Sequence, residues 1–452
     1  MNKFEASLNL LPFDLFSRIN PEPGWMFFDS ALQNVPYSRY SILLIKPLFI
    51  ISYKEKYITR QNHDKENFET SNPLKAIKQN FYQLKKEYSP ISFEEDTFHI
   101  GFAGYISYDF GMTLENVQSK NPATTNLPEI FFGFFESALV YDHQTKKYTV
   151  YSKTNPKKFL DFIFSRLEPK KNFISSTKTP DIQSNFTKEE YINTIQTIKK
   201  YIEEGEIYQV NLSQQFSCKT AEHPIQIYSR LRENNPAHFS ALICVNNNQW
   251  VLSSSPELFI DLKKNRVITK PIKGTIKRGA STEEDKNLIR QLFNSEKDSA
   301  ELLMITDLER NDLGKISKAG SVKVNSLKKV ETYSSVHHLV SEIESELEEG
   351  KDVFDLIAAM FPGGSITGAP KKRSMEIIDE LEKCKRGIYT GSIGYIDLNG
   401  NAMFNIAIRT IIYDNGKLYL NLGGGIVYDS DPEKEYEETL HKGEKIFKSI
   451  LK

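Results

Sequence analysis

The sequence has 452 residues, of which 39% are hydrophobic and 26% charged, as in ordinary globular proteins. Its 58 Lys and Arg residues balance 59 Asp and Glu residues, which argues against nucleic acid as a partner, because phosphate binding needs surplus positive charge. Cys218, Cys244 and Cys384 are too scattered for a disulfide framework or a zinc knuckle. The sequence shows neither a secretory signal nor an apolar run of about 18 residues, so we expect a cytoplasmic protein without a membrane partner.

The N-terminal region, residues 1–167, is predicted to be rich in strands. Segments 40–47, 98–107 and 128–141 are dense in Ile, Phe, Tyr and Val, with Gly and Pro between them. Residues 168–185 are polar, contain Pro and Ser, and lack periodicity, which predicts a linker or a surface excursion. A helix is predicted next, because Thr187 and Glu190 form a capping-box pattern and Gly205 ends the apolar period.

The second region, residues 187–452, alternates between predicted strands and helices, so we expect an α+β fold. The predicted strands are 208–216, 241–246, 250–254, 258–262, 266–273, 390–398, 402–413 and 417–422. The predicted helices are a hairpin over 282–312, two helices over 353–360 and 370–381, and a C-terminal helix capped by Asp431 with Pro432 at its first position.

A carboxylate and a lysine in this region are candidates for catalysis. Glu257 follows a predicted strand in SSSPE, where it is either a turn residue or a general acid held by a restricted backbone. Lys273 lies in PIKGTIKRG, where it is either a solvated lysine or a nucleophile. Lys277 and Arg278 would favour the nucleophile, because neighbouring cations disfavour a charged amine.

Two predicted helices carry paired acidic residues. Asp298 and Glu301 are three residues apart on one helix, and Glu435 and Glu438 repeat this spacing on the C-terminal helix, one turn before Lys442. Both pairs are consistent with solvated helix starts, since the helix dipole favours acids there. If the helices meet, their carboxylates suit Mg²⁺, which takes few protein ligands and keeps water or substrate oxygens.

Three further features favour a small carboxylate ligand. PGGSITGAPK, with Ser365, places hydroxyls in a glycine-rich loop before a helix, and it lacks the lysine of a nucleotide-binding loop. Arg409, in a strand-like stretch, is either an edge charge or a carboxylate clamp. The glycines 423–425 form either a tight turn or a surface that a ligand approaches closely. These residues indicate a Mg²⁺-dependent enzyme acting on a small dicarboxylate.

The order of the motifs resembles that of the chorismate-utilising enzymes, which include anthranilate, aminodeoxychorismate, isochorismate and salicylate synthases. The resemblance covers residues 187–452 and rests on GEIYQVNLS, SSSPELF, PIKGT, AELLMITDLERNDLGKI, FPGGSITGAPKKRSMEII, GSIGY, AIRT and GGGIVYDSDPEKEYEET. A weaker match lies at 37–41 (YSRYS) and 101–105 (GFAGY). The resemblance implies two orthogonally packed antiparallel sheets flanked by helices, with the two regions interleaved in a single unit.

Two positions sort the members of this family. Isochorismate and salicylate synthases carry a lysine base where this chain has Gln209, and anthranilate synthases typically carry alanine where it has Lys273. The pattern therefore resembles the aminodeoxychorismate synthases, which make 4-amino-4-deoxychorismate for p-aminobenzoate and folate.

The resemblance assigns chemical roles by motif position. Lys273 becomes the covalent nucleophile and Glu257 the general acid for the leaving hydroxyl. The cofactor implied is Mg²⁺, bound by Glu301 and Glu438 and supported by Asp298 and Glu435. The chorismate-binding side chains implied are Tyr395, Arg409 and Gly425 at the enolpyruvyl carboxylate, and Ser365, His338 and Lys442 around the rest of the substrate.

The resemblance also implies partners. Ammonia is expected from a separate glutaminase (amidotransferase) subunit, because no cysteine has a Gly-x-Cys-x-Gly setting. Relatives often bind tryptophan in the N-terminal half, which here points to Ser30, although FFDS (27–30) and NPAHF (235–239) depart from the feedback-sensitive pattern. An anthranilate synthase large subunit and a non-catalytic tryptophan-binding subunit stay open as alternatives.

Overall fold

The computed structural model describes residues 2–32, 38–62, 65–89, 97–169, 180–333 and 336–451. Tyr37 of the predicted N-terminal motif and residues 170–179 of the predicted linker lie outside the described residues. Within the described ranges, no helix combines the length and apolar character needed to cross a membrane.

The N-terminal region supplies short strands and four of the described helices. Its strands are β1 (Asn2–Ala6), β2 (Met26–Asp29), β3 (Tyr40–Leu44), β4 (Phe49–Lys54), β5 (Tyr57–Gln61), β6 (Lys65–Glu69), β7 (Gly101–Ile106), β8 (Ile130–Phe135), β9 (Ser137–Asp142) and β10 (Lys147–Ser152). Its helices are α1 (Pro12–Arg18), α2 (Pro73–Tyr88), α3 (Tyr108–Leu114) and α4 (Pro156–Ser165).

The second region supplies the remaining elements. Its strands are β11 (Gln183–Ser184), β12 (Gln209–Lys219), β13 (Phe239–Asn246), β14 (Gln249–Ser255), β15 (Leu258–Lys263), β16 (Arg266–Lys270), β17 (Ile272–Lys277), β18 (Lys323–Thr332), β19 (Val336–Glu346), β20 (Gly368–Ala369), β21 (Ser392–Asp397), β22 (Ala402–Asn405), β23 (Thr410–Asp414) and β24 (Lys417–Ile426). Its helices are α5 (Lys188–Glu203), α6 (Pro224–Asn234), α7 (Thr282–Phe293), α8 (Glu296–Gly314), α9 (Val353–Met360), α10 (Lys371–Leu381) and α11 (Pro432–Leu451), with a 3₁₀ turn at Gly364–Ile366.

The strands form two antiparallel sheets of 12 strands each, which confirms the α+β prediction. The first sheet has the order β1-β10-β9-β3-β2-β13-β14-β23-β24-β12-β11, and β20 also pairs with β12. The second has the order β17-β19-β16-β15-β22-β21-β7-β8-β4-β5-β6, and β18 also pairs with β19. Pairing of β2 with β13 and of β7 with β21 places strands from both regions in each sheet.

The sheets pack on each other through a core of buried side chains from both, among them Met26 and Leu44 of the first sheet and Tyr105 and Phe131 of the second. Helices cover the outer faces. Buried side chains of α2 and α9 belong to the core on the second sheet. Those of α6 and α11 belong to the core on the first sheet. The apolar period of these helices is thereby buried, as expected for amphipathic helices packed on a sheet.

Two neighbouring connections pass from one sheet to the other. Residues 256–257 lead from β14 in the first sheet to β15 in the second, and residues 406–409 lead from β22 back to β23. The Ile406 N–H donates to the Glu257 carbonyl at 3.1 Å, and the Ser254 N–H donates to the Arg409 carbonyl at 3.1 Å. The two connections between the sheets therefore lie side by side and place Glu257 close to the segment that carries Arg409.

Some predicted elements differ from the structure. The capping box of Thr187 and Glu190 is confirmed. The prediction of one strand over 266–273 is wrong, because Pro271, which has no N–H to donate to a ladder, separates β16 from β17. The predicted strand 402–413 is likewise two strands, β22 and β23, in different sheets. The segment 128–141, predicted to be rich in strands, contains β8 and most of β9, which also lie in different sheets.

Candidate active site

The glycines 423–425 lie at the end of β24, where this strand pairs with β12 and Gly425 stands opposite Asn211. A Cβ on Gly425 would collide with the side-chain amide of Gln209 and would lie 3.1 Å from Lys273 Nζ. The absence of a Cβ here therefore lets two polar side chains approach the strand closely, and the glycine does not mark a turn.

Lys273 and Glu301 come from different elements and meet beside this glycine. Lys273 Nζ lies 3.8 Å from Glu301 Oε2, and both side chains are almost fully buried, at 11% and 12% exposure. The Gln209 amide donates to the same Glu301 oxygen at 3.1 Å. Burial raises the pKa of Glu301, and the charges of Lys273 and Lys297 oppose that rise. Strand β17 and helix α8 therefore bring a primary amine next to a carboxylate.

Helix α11 adds two more carboxylates, each with its own lysine. Glu435 is buried, and its Oε1 accepts from Lys297 Nζ at 2.9 Å and from Ser430 Oγ at 2.7 Å. Glu438 faces solvent more openly, and its Oε1 lies 2.6 Å from Lys442 Nζ. The positive charge of Lys442 holds the pKa of Glu438 below its usual value.

The two carboxylates of α11 lie beside Gly424, and those of α8 interact with them electrostatically. A Cβ on this glycine would lie 3.5 Å from Glu435 Oε2 and 3.8 Å from Glu438 Oε1. Glu435 and Asp298 both raise the pKa of Glu301 through their negative charge, after the larger effect of burial. The four predicted metal-binding residues therefore lie in one neighbourhood.

The chemistry of this acidic set suits a hard divalent cation, since Mg²⁺ prefers carboxylate oxygens and needs only a few of them from the protein. Lysines pair with Glu301, Glu435 and Glu438, as described above. Among the residues that the structure describes, no three His, Cys, Asp or Glu side chains lie close enough to hold a metal ion as they stand.

Glu257 lies in the corner between the sheets and is buried at 4% exposure. Its Oε1 accepts from Ser365 Oγ at 2.7 Å and from the Ile272 N–H at 3.5 Å. Burial raises the pKa of Glu257, against the Ser365 hydrogen bond and the charges of Lys273 and Arg409. A carboxyl that retains its proton more strongly than usual suits a general acid.

Arg409 and His338 lie on the same side of the site. Arg409 was expected within a strand, but it lies in the bend before β23 with a left-handed φ of 52°, and its Nη1 donates to Asn235 Oδ1 at 3.4 Å. Burial lowers the pKa of Arg409 to about 10, and the negative charge of Glu257 opposes this. Burial also holds the pKa of His338 well below its usual value, and its Nδ1 lies 2.7 Å from Thr275 Oγ1.

The glycine-rich loop uses its hydroxyls within the protein. Ser365 Oγ donates to Glu257, and Thr367 Oγ1 donates to the Gly363 carbonyl at 2.9 Å. The N-cap residue of α10, Pro370, has no side-chain cap. The loop therefore donates a hydrogen bond, through Ser365, to the carboxyl of Glu257.

Tyr395 and Ser30 lie elsewhere, in a cavity between the two sheets. The cavity is lined by both of these residues together with Phe28, Asp29 and His238. The Tyr395 ring packs edge-on against Phe28 with ring centroids 5.8 Å apart. Ser30 Oγ donates to the Tyr40 carbonyl at 2.7 Å. The segments 27–30 and 235–239 thus meet at one cavity, and Tyr395 belongs to it rather than to the surroundings of Glu257.

No role was predicted for two groups of this site. Lys297 lies four residues before Glu301 on α8, a spacing that places both on one helix face and could have indicated it. Among the described residues, Gln209 Oε1 and Asn211 Oδ1 are buried acceptors without a hydrogen-bond partner. Only the pairing of β12 with β24 reveals that these amides face the site.

Comparisons with known proteins show which sequences and folds this chain is similar to. The family model described as chorismate binding enzyme matches residues 30–448. The chain is 38% identical to aminodeoxychorismate synthase component 1 of Bacillus subtilis, over 91% of this chain and 89% of that protein. It is 36% identical to anthranilate synthase component 1 of Aquifex aeolicus, over 97% and 92%. The crystal structure of anthranilate synthase component I from Streptococcus pneumoniae superposes with a TM-score of 0.78 at 29% identity, covering 92% of this chain and 93% of that one.

Proposed function

This chain belongs to the chorismate-binding enzyme family, and we propose that it aminates chorismate to 4-amino-4-deoxychorismate, for p-aminobenzoate and folate synthesis. The observation that carries the proposal is the position of Lys273, whose Nζ lies 3.8 Å from Glu301 inside the cluster of carboxylates. A nucleophilic amine at this position is the feature by which the chain departs from the anthranilate synthase pattern.

In the proposed reaction Lys273 and Glu257 act in sequence. The neutral amine of Lys273 attacks C2 of the chorismate ring, the double bonds shift, and the C4 hydroxyl leaves as water with the proton of the Glu257 carboxyl. Ammonia then adds at C4 and the bond between the ring and the lysine breaks. The new ammonium group returns one proton to Glu257, so the enzyme is restored and the enolpyruvyl group stays attached.

Glu301 and Glu438 would hold magnesium, with Asp298 and Glu435 in support. Glu435 and Glu438 lie together beside Gly424, and the charges of Glu435 and Asp298 act on Glu301, which supports this assignment because Mg²⁺ prefers such oxygen ligands. Bound Mg²⁺ would supply positive charge against the ring carboxylate of the substrate.

The remaining side chains would bind the substrate. Arg409 and Gly425 are proposed for the enolpyruvyl carboxylate. The half-buried guanidinium of Arg409 supports this, because it donates to Asn235 and has further donors to offer. His338 and Lys442 would line the pocket, while Ser365 would orient Glu257. Tyr395 lines the separate cavity, so we do not propose it as a contact of the substrate.

The separate cavity is the proposed place for tryptophan. Apolar side chains, such as Phe28, and polar groups, such as Ser30, line it together, as is typical of small-molecule sites. Asp29 at its edge is neutralised by Arg232, whose Nε lies 2.8 Å from Asp29 Oδ2, so this carboxylate does not stand free to bind an amino group.

A glutaminase subunit would supply ammonia. The relatives named aminodeoxychorismate synthase are called component 1, which supports the existence of a partner subunit.

The test of the function does not need that partner. The purified chain is mixed with chorismate, Mg²⁺ and ammonium at high pH, and products are identified by mass. We expect p-aminobenzoate only when aminodeoxychorismate lyase is added. Anthranilate with released pyruvate would establish the alternative that the Aquifex relative suggests. No turnover under any of these conditions would favour a non-catalytic tryptophan-binding subunit.

A further inference from the structure

The glycine-rich loop 361–370, which carries Ser365, is closed at its base by one side chain. Lys371, the first residue of α10, is buried at 8% exposure. Its Nζ donates to the Met360 carbonyl, the last residue of α9, at 2.8 Å. One ammonium group therefore links the residue before the loop to the residue after it.

The same ammonium group attaches the loop base to helix α8. Lys371 Nζ lies 2.7 Å from Asp312 Oδ2, and both side chains are buried. A buried lysine needs a carboxylate and further acceptors to offset its lost hydration, and both are present here. Asp312 has a second cation, Lys315, at 2.7 Å from its Oδ1, but this lysine is 54% exposed and does not reach the loop.

The loop packs closely between its base and Glu257. A Cβ on Gly364 would lie 2.7 Å from Leu308 Cδ2 of α8, one helical turn before Asp312. From the opposite side Arg386 donates to the Ile366 carbonyl at 3.0 Å. Ser365 lies between these contacts, so the distance from its Oγ to Glu257 depends on where the loop base is held.

We propose that Lys371 is a positioning residue, which holds the loop base on Asp312 and Met360 and thereby keeps Ser365 Oγ hydrogen-bonded to Glu257. The proposal rests on the proposed role of Glu257 as the general acid. It adds a residue that touches neither substrate nor metal but sets the geometry of the acid.

The test compares Lys371→Met with Lys315→Met, which removes the other cation on the same carboxylate. The first readout is amide hydrogen exchange of residues 361–367 in the full chain, which does not depend on any activity. We expect Lys371→Met to speed exchange there by at least about 10-fold and Lys315→Met to leave it unchanged. Equal exchange in both variants would overturn the proposal.

The second readout is the pH profile of kcat. We expect Lys371→Met to lower kcat by about 10- to 100-fold with little change in KM, because a small displacement of a catalytic group has effects of this size. The limb assigned to Glu257 should move to higher pH, since the Ser365 hydrogen bond lowers the pKa of this carboxyl. Lys273 and Arg409, whose charges lower the pKa of Glu257, are retained in the variant, whereas the pKa of Glu309 should rise because the charge of Lys371 lowers it in the wild type.

A double variant separates positioning from a general loss of stability. Ser365→Ala combined with Lys371→Met should be no slower than Ser365→Ala alone, because both remove the same hydrogen bond. If the kcat losses of the two single variants multiply in the double variant, the proposal is overturned. It is also overturned if the limb of the pH profile assigned to Glu257 does not move in Lys371→Met. If Lys371→Met does not fold, Lys371→Gln takes its place. It keeps a donor for Met360 but loses the ion pair with Asp312, so we expect smaller changes in the same direction. If the wild-type chain has no aminating activity, the proposed function fails, and hydrogen exchange still decides whether Lys371 holds the loop.

Discussion

Lys273 Nζ and Glu301 Oε2 lie 3.8 Å apart in a pocket where both side chains are nearly excluded from solvent. The strand β17 carries the lysine and the helix α8 carries the carboxylate, and Gln209 of β12 donates to the same oxygen. An amine and a carboxylate held together in this way support both a nucleophilic and a metal-binding role for the site.

Replacing Lys273 by glutamine removes the amine and keeps a polar side chain. We expect the rate of aminodeoxychorismate formation from chorismate and ammonium to fall by about 1,000-fold or more, since the covalent step is lost. Product quantified by mass spectrometry checks this. Lys286→Gln, at an exposed lysine of α7, is the matched control and should retain the wild-type rate. Full activity of Lys273→Gln would contradict the nucleophilic role.

Glu257→Gln removes the proton donor but keeps an oxygen that can accept from Ser365 Oγ, so the fold should be preserved. We expect kcat to fall by about 100- to 10,000-fold. Burial raises the pKa of Glu257, and in the proposed mechanism the protonated form is the active one. Wild-type activity should therefore be present below this raised pKa and be lost as pH rises through it, and the variant should lack that limb. An alkaline limb that persists in Glu257→Gln would assign it to another group.

Glu438→Gln weakens the proposed magnesium site at its solvent-facing side. We expect the affinity for Mg²⁺, measured by calorimetry in the presence of chorismate, to fall by at least about 10-fold. The control is Glu444→Gln, further along α11, where the glutamate is exposed and pairs with Lys448. Identical affinities in the two variants would remove Glu438 from the metal site.

Glu309 of α8 provides a test of stability. It is buried, accepts from Thr269 Oγ1 at 2.9 Å, and has its pKa raised to about 8 by burial. An acid whose pKa is raised on folding binds a proton more tightly in the native state. Its contribution is favourable at low pH and is lost as pH rises from the unfolded value of 4.5 towards about 8.

Glu309→Gln keeps an acceptor for Thr269 and cannot ionise. We expect its melting temperature to exceed that of the wild type at pH 8, by about 2 °C or more, and the difference to shrink at pH 6. Thermal denaturation followed by circular dichroism at both pH values is the measurement. Glu348→Gln, at an exposed position, should follow the wild-type curve. If the wild type melts at a higher temperature than Glu309→Gln, and by a margin that grows with pH, the predicted direction of the pH dependence is wrong.

Local patterns in the sequence predicted much of the secondary structure. The capping box at Thr187 and the helix over 353–360 follow from contacts between residues a few positions apart, and the structure has both. The strand pair β18 and β19 was not predicted. Side chains along β18 alternate between exposed and half-buried and are rich in Lys, so the strand lacks the apolar signal that identifies a buried strand.

The sequence by itself determined which chemical groups are available, because motif order and residue type are local properties: Lys273, Glu257 and the acids of α8 and α11 were identified without coordinates. Only the tertiary structure decided which of them meet. It paired Lys297 with Glu435, closed the loop base with Lys371, and placed Tyr395 beside Ser30 instead of Glu257. These relationships depend on strand pairing and sheet packing between residues far apart in the chain, and no short-range pattern in a single sequence records such contacts.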